Sequence, residues 1–338
     1  MGSGHQKLSR LARRAFEEVR ASAAIGSETS FADGVNAFRA KIDLQKMNRN
    51  EYRESTEVTK RLMRKHESVV SYLESRFGSF YREYDFERPL EPVADDRKNK
   101  IWMCWWQGEE NAPLLVKACI DSVRRNAGDR EVIVITDENL GDYAEIPSWL
   151  MDKVDAGVVS RTNLSDYLRL YLLGQFGGIW LDATFYCVDR LSGAPYDAPV
   201  FTIKRPGYAH GSIACGNFAG YSLGCDADHR RLFSSACDFY LEYWKNSSFM
   251  VDYLLIDYLL ALVERHCAEA KRDLDSVQPN NGSCDELIKM LGRPFDRCEW
   301  NSLKQGTRLF KLTWKQEFPL EVAGKETFYG ALVNGHLL

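Results

Sequence analysis

Apolar side chains return along this chain with two different rhythms, and the change of rhythm divides it. From residue 6 to about residue 86 they recur every three or four positions, as a helix surface requires. Leu8, Leu11, Ala12, Ala15, Phe16 and Val19 make one face, ringed by Lys7, Arg10, Arg13, Arg14 and Arg20. Further helices are predicted over 31–47 and 51–77, so 1–95 reads as a helical N-terminal region. The stretch 88–99, with two prolines and mixed charges, reads as a linker. At Lys100 short continuous apolar runs replace the periodic pattern. Residues 101–106 (IWMCWW) and 131–136 (EVIVIT) have strand length, and Pro113 opens a helix carrying Leu114, Leu115, Ala118, Ile120 and Val123 between them. Unbroken apolar strands joined by helices predict a parallel sheet with right-handed crossovers. The fold class expected over 96–338 is therefore α/β, a mostly parallel Rossmann-like sheet flanked by helices.

One stretch concentrates the chemistry: residues 161–187, RTNLSDYLRLYLLGQFGGIWLDATFYC. Leu164, Tyr167, Leu168, Tyr171 and Leu172 keep helical spacing, with Ser165 and Asp166 expected at the helix start as caps. Gly177 and Gly178 end the helix. Ile179, Trp180 and Leu181 form a short apolar strand that delivers Asp182. An acid at the carboxyl end of a central strand lies where open α/β sheets bind ligands. Each residue alone fits a capped helix on a core strand. The ordered set, Asp-x-x-Arg, Gly-Gly, then an apolar strand ending in Asp-x-Thr, is harder to reach by accident.

Composition narrows the options. The chain has 338 residues, 45% hydrophobic and 27% charged, as ordinary globular proteins do. Its net charge of −4 argues against nucleic acid as a partner. The N-terminal region is mildly basic and the remainder mildly acidic, which suits a site holding a divalent cation. Nine cysteines, an odd number without a C-x-x-C pair, favour free thiols and a reducing cytosol. Cys104, Cys119 and Cys187 sit among apolar residues, where a thiol behaves as a small hydrophobe. No signal peptide is evident, and the most apolar stretch, 251–263, is interrupted by Asp252 and Asp257 and too short to span a bilayer. The expected address is cytoplasmic. The basic amphipathic face at the N-terminus either packs on the rest of the protein or lies on the inner face of the cytoplasmic membrane.

The S-D-Y-L-R and G-G-I-W-L-D-A-T runs resemble the sugar-nucleotide site of glycosyltransferase family 32, the DXD-containing group that includes capsular polysaccharide synthesis proteins. More distantly the chain is similar to the glucosyltransferase domain of large clostridial toxins. The resemblance covers residues 100–315 and implies a GT-A-like domain with roles for particular side chains. Trp106, or alternatively Trp105, would stack on the base. Asn139 would contact ribose or base, or else serve a turn. Asp166 would accept from the ribose or base, and Arg169 would pair with Asp166 or the diphosphate. Trp180 would flank the nucleotide. Asp182 would bind Mn²⁺ or Mg²⁺ on the diphosphate, with Thr184 as a weaker oxygen ligand. Asn217 would stand beside the donor sugar, and Asp257 would meet donor or acceptor hydroxyls. Lys311 and Lys315 are either phosphate contacts or plain solvated charges, and His336 is a remote candidate for a metal site. Asp182-Ala183-Thr184 departs from the family's usual Asp-x-Asp, although the capsular subgroup shares W-L-D-A-T.

A literal Asp-x-Asp, Asp226-Ala227-Asp228, follows no apolar strand and reads as a helix cap. The activity implied is transfer of a hexose or N-acetylhexosamine, with retention, from a UDP-sugar to a hydroxyl of a surface glycan or its lipid-linked precursor. The alternative is a nucleotide-sugar-binding or scaffold protein that has lost its chemistry, motivated by Thr184. A dehydrogenase is disfavoured because no G-x-G-x-x-G follows the first strand.

Overall fold

The computed structural model describes residues 2–49, 51 and 53–337, with side chains from residue 15 onward. Helices α1 (Gly2–Glu28), α2 (Phe31–Asn48) and α3 (Thr56–Glu83) open the chain. Ser30 and Ser55 cap α2 and α3, accepting from the amides of Asp33 and Val58. The crossing of α1 and α2 is close enough to need glycine: a Cβ at Gly34 would meet the Ser22 carbonyl at 2.7 Å. Of the expected basic amphipathic face, Leu8, Leu11 and Ala12 have side chains outside the described residues. Phe16 and Val19 are 68% and 53% exposed. The apolar side of α3 is buried, and it docks on the rest of the molecule through Tyr81, stacked on Phe239 at 4.4 Å, and Phe77 beside Tyr243 at 5.5 Å. These residues belong to the same continuous core as the sheet's helices.

After the linker come β1 (Lys100–Cys104), α4 (Leu114–Asn126), β2 (Glu131–Ile135), α5 (Leu140–Tyr143), α6 (Ser148–Asp155) and α7 (Arg161–Phe176). Then follow β3 (Gly178–Leu181), β4 (Phe185–Cys187), β5 (Val200–Thr202), β6 (Ser222–Cys225), α8 (Arg231–Asn246), α9 (Leu255–His266) and α10 (Ala268–Ser276). The chain closes with α11 (Leu287–Met290), α12 (Arg297–Leu303), β7 (Leu309–Lys311), β8 (Glu321–Val322), β9 (Lys325–Glu326) and α13 (Phe328–Val333).

The main sheet has the order β2-β1-β3-β6-β5. β1 runs parallel to β2 and to β3, while β6 is antiparallel to both of its neighbours, so only β6 opposes the common direction. This is the α/β arrangement expected of a GT-A-like, Rossmann-like domain: a mostly one-directional sheet with helices on both faces. Trp102, Ile133, Trp180 and Leu223 join the core on one face, and Ile101, Met103, Val134, Ile179 and Leu181 the core on the other. Strand alternation thus separates neighbours along β3 onto opposite faces. A two-stranded sheet, β4 with β7, lies over a third core containing Tyr186, Trp300, Phe310 and Phe328.

One local expectation needs correction. Helix α7 starts at Arg161, not at Ser165, because Ser160 and Asn163 form a reciprocal capping box one turn earlier. Ser165 and Asp166 therefore sit in the second turn, and Asp166 faces inward. Residues 210–221 form turns, strand structure begins at Ser222, and α10 ends at Ser276. Among the described residues, no helix is long and apolar enough to cross a membrane.

Candidate active site

The Gly177-Gly178 turn is what brings α7 and β3 together. Both glycines have positive φ (71° and 93°), and a Cβ at Gly178 would meet the Lys100 carbonyl at 2.5 Å. With the strand drawn that close to β1, Asp182 emerges at its carboxyl end, its amide donating to the Tyr221 carbonyl at 3.1 Å. The side chain is 29% exposed. Trp180 Nε1 donates to Asp182 Oδ1 at 3.2 Å, and Arg169 Nη2 lies 3.6 Å from the same oxygen. On the other side Lys311 Nζ lies 3.5 Å from Oδ2 and donates to Thr184 Oγ1 at 2.6 Å. Asp182 is thus flanked by two cations delivered by different parts of the chain.

Arg169 is the hub of the buried side. It pairs with Asp166 at 3.0 Å one turn earlier in α7, donates to the Gly220 carbonyl, and lies 5.2 Å over the Trp180 ring. Burial disfavours its charge, but Asp166, Asp182 and Asp257 outweigh that and push its pKa up. Asp166 is pushed up to about 7, first by burial and then by Asp182 and Asp257, against the pull of Arg169. Asp257, in the first turn of α9, is pushed up to about 6 by burial, while Ser212 and Arg169 pull the other way. Ser212 donates to its Oδ2 at 2.6 Å, and its buried Oδ1 has no hydrogen-bond partner. That oxygen would lie 2.6 Å from a Cβ at Gly220, so Asp257 stands directly behind the backbone that Arg169 holds.

The remaining expected residues divide. Trp106 is half-buried at the end of β1, its Nε1 donating to Ser165 Oγ at 3.0 Å, with the Arg161 guanidinium 5.2 Å over its ring and paired to Asp137 at 2.8 Å. Trp105 packs edge-on against Trp314 at 5.6 Å, and its buried Nε1 has no hydrogen-bond partner. Trp180 does not flank an open site. It is 1% exposed, because its position on β3 points into the helix-covered core, and its part is to orient Asp182 through Nε1. Asn139 takes the turn role: Oδ1 accepts from the Thr136 amide at 2.8 Å and Nδ2 donates to the Val134 carbonyl at 3.0 Å. Asn217 is exposed at a bend between the Ser212 turn and β6. His336 is held by Glu326 at 2.9 Å, and Lys315 is exposed. Asp226 accepts from the Asp228 and His229 amides, so it caps the turn before α8 rather than α8 itself, whose N-cap position is Arg230.

No local signal in the sequence marks Trp314, Arg161 or Tyr221 as part of the site. Lys311 is placed only by the pairing of β7 with β4. Surface clefts of about 530 and 360 Å³ lie along α3 and beside Trp149, and neither is lined by Asp182, Arg169 or Lys311.

The expected divalent ion can be tested against the donors present. Mn²⁺ and Mg²⁺ favour several oxygen ligands, usually with carboxylates among them. Here one carboxylate is available, the Thr184 hydroxyl is neutral and already accepts from Lys311, and an ammonium stands beside both. Among the described residues no cluster of three or more His, Cys, Asp or Glu side chains forms a metal site. The protein's own donors do not fit a chelated cation.

Comparison with known proteins places the chain. No curated protein matches it. Among solved structures, a PaToxG Glycosyltransferase is similar over 63% of this chain and 88% of that one, with 14% identity and a TM-score of 0.35, a likeness too loose to bear on the site. The profile of the family described as capsular polysaccharide synthesis protein matches residues 49–332, from just before α3 to the last helix, and takes in every residue of the Asp182 cluster. The chain belongs to the capsular polysaccharide synthesis protein family.

Proposed function

We propose that this protein is a glycosyltransferase that moves a hexose or N-acetylhexosamine from a nucleotide-sugar donor, UDP-linked, to a hydroxyl of a surface glycan or its lipid-linked precursor. The observation that carries the proposal is the placement of Asp182 at the carboxyl edge of β3 between two cations, Arg169 and Lys311, in a member of a capsule-synthesis family. In the transfer, the bond from the anomeric carbon to the phosphate oxygen breaks, and a bond to the acceptor oxygen forms. The acceptor's proton passes to the departing diphosphate. Negative charge develops on that diphosphate, so fixed cations lower the barrier most if they are in place beforehand. Arg169 is held by Asp166 and the Gly220 carbonyl, and Lys311 by Thr184, so neither needs to reorganise. Trp106, two residues beyond β1, is the proposed platform for the base, with Trp105, packed against the opposite core, as the alternative. Retention of configuration, with the acceptor entering on the leaving-group face, rests on the family 32 resemblance.

A second reading, a binding or scaffold protein without chemistry, is favoured by one observation: the Thr184 hydroxyl is already engaged by Lys311. A donor panel separates the two. Turnover or slow hydrolysis of at least one UDP-sugar is expected. Tight UDP binding with no donor consumed would leave the scaffold reading standing.

The proposed acceptor also sets a location. Phe31, Val35, Phe38 and Ile42 are exposed along α2, where helical spacing puts exposed Arg39, Lys46 and Arg49 on the same face, and Phe16 and Val19 are exposed on α1. An apolar stripe with basic neighbours suits an anionic membrane. Phe31→Ser with Phe38→Ser should weaken binding to phosphatidylglycerol-containing vesicles severalfold without changing turnover on a soluble acceptor. Unchanged vesicle binding would remove the membrane from the proposal.

A further inference from the structure

We propose that Lys311 is the site's built-in diphosphate cation, occupying the place beside Asp182 and position 184 where the motif resemblance supplies a divalent metal. The inference rests on the transferase reading and makes it specific.

The placement is set by backbone pairing. β7 runs antiparallel to β4 with Lys311 opposite Phe185, the residue after Thr184. The Leu312 amide donates to the Thr184 carbonyl at 2.9 Å, and the Lys311 amide to the Cys284 carbonyl at 2.9 Å. The strand is therefore pinned on both sides, and the lysine stem is not free to swing from the sheet edge. Its Nζ lies 5.7 Å from the Phe185 ring centre and 5.8 Å from that of Tyr221, and the side chain is 22% exposed. Aromatic faces attract a cation, and partial burial reduces the screening of its field by water.

The donor count leaves room for a ligand. A lysine ammonium has three N–H groups. Thr184 takes one, at 2.6 Å, and Asp182 at 3.5 Å is an ion-pair neighbour beyond good hydrogen-bond length. The ammonium can therefore turn a hydrogen towards a phosphate oxygen while Thr184 and Asp182 hold it in place. Lysine binds phosphate in this way, as a compact point charge. The departure at Thr184 then has a physical reason. Two carboxylates at 182 and 184 would call for a divalent ion, whereas one carboxylate and a hydroxyl balance a single ammonium.

The test uses the purified full chain treated with EDTA, with UDP, UMP and uridine as titrants followed by calorimetry. Wild-type protein is expected to bind UDP in EDTA with an affinity that added Mn²⁺ changes less than threefold. Lys311→Met, which keeps the packed stem, should weaken UDP binding at least tenfold and uridine binding less than twofold. Lys311→Arg should recover part of the loss, and melting temperatures should show both variants folded. UDP binding to Lys311→Met equal to wild type would overturn the inference alone, as would wild-type UDP binding that requires Mn²⁺. Failure of the wild-type chain to bind UDP under any condition would overturn the transferase reading together with it.

Discussion

Two tripeptides in this chain look almost alike, Asp182-Ala183-Thr184 and Asp226-Ala227-Asp228, and the second is the better match to an Asp-x-Asp motif. The structure separates them by what precedes each. Asp182 ends a central apolar strand and is met by Trp180, Arg169 and Lys311. Contrary to the sequence expectation, Asp226 does follow a buried strand, the antiparallel β6, but it sits at an exposed turn, where it serves two backbone amides and His229. The carboxylate chemistry is the same in both; the difference is the supply of cations. A motif in this fold is defined by the strand that presents it and by the partners that converge on it.

The comparison can be broken most sharply at the two aspartates. Asp182→Asn should lower transfer by about a hundredfold or more, the scale seen when a preorganised charge is removed from a reacting site, with the melting temperature close to wild type. Steady-state kinetics on the best donor would show it, and wild-type rates in this variant would remove Asp182 from the mechanism. Arg169→Met attacks the cation side. It leaves Asp166 and Asp257 buried without their guanidinium, and breaking such a pair costs about 3–5 kcal/mol. Denaturant unfolding should detect that loss, and unaltered stability would mean Arg169 is not the hub.

Asp257 offers a pH version of the same contrast. Its carboxyl is raised to about 6 in the folded protein, so folding takes up a proton between the ordinary aspartate range and that value. A raised carboxyl contributes its stability below pH 4 and loses it as pH rises through 6, a change on the order of 1–3 kcal/mol. Asp257→Asn should reduce the slope of the stability profile between about pH 4 and 6, leaving the part that belongs to the raised carboxyl of Asp166, and an unchanged slope would contradict the burial argument. The smallest effect belongs to the second tripeptide. Asp226→Asn keeps the cap oxygen and removes only an exposed charge that raises the His229 pKa against partial burial. A raised histidine stabilises below about pH 6.5 and ceases to do so as pH rises. The variant should therefore lose under about 1 kcal/mol at acid pH and nothing at pH 8, with turnover within twofold.

Much of this was legible in the sequence, for physical reasons that can be named. The helix, Gly-Gly turn, strand and aspartate of residues 161–182 were readable because periodicity, glycine and apolar run agree locally. The start of α7 was misplaced because Ser160 and Asn163 form the capping box before the apolar pattern begins. The resemblance puts Trp180 beside the nucleotide, and a strand covered on both faces shows no alternation that would say which way its ring points. Lys311 is undecided in the sequence because its meaning depends on Thr184, 127 residues away, and on a strand pairing no local signal reports. Asn139 was ambiguous for the opposite reason: an asparagine after a strand fits a turn or a ligand equally well until its amide is seen to be committed.

The central claim is that the oxygens of a donor's diphosphate rest between Lys311 and Arg169 beside Asp182. A crystal structure of the full chain with UDP, grown in EDTA, tests it directly. The account predicts phosphate oxygens within hydrogen-bond distance of Lys311 Nζ and the base near Trp106. A nucleotide seated elsewhere, with Lys311 still bound only to Thr184, would contradict it.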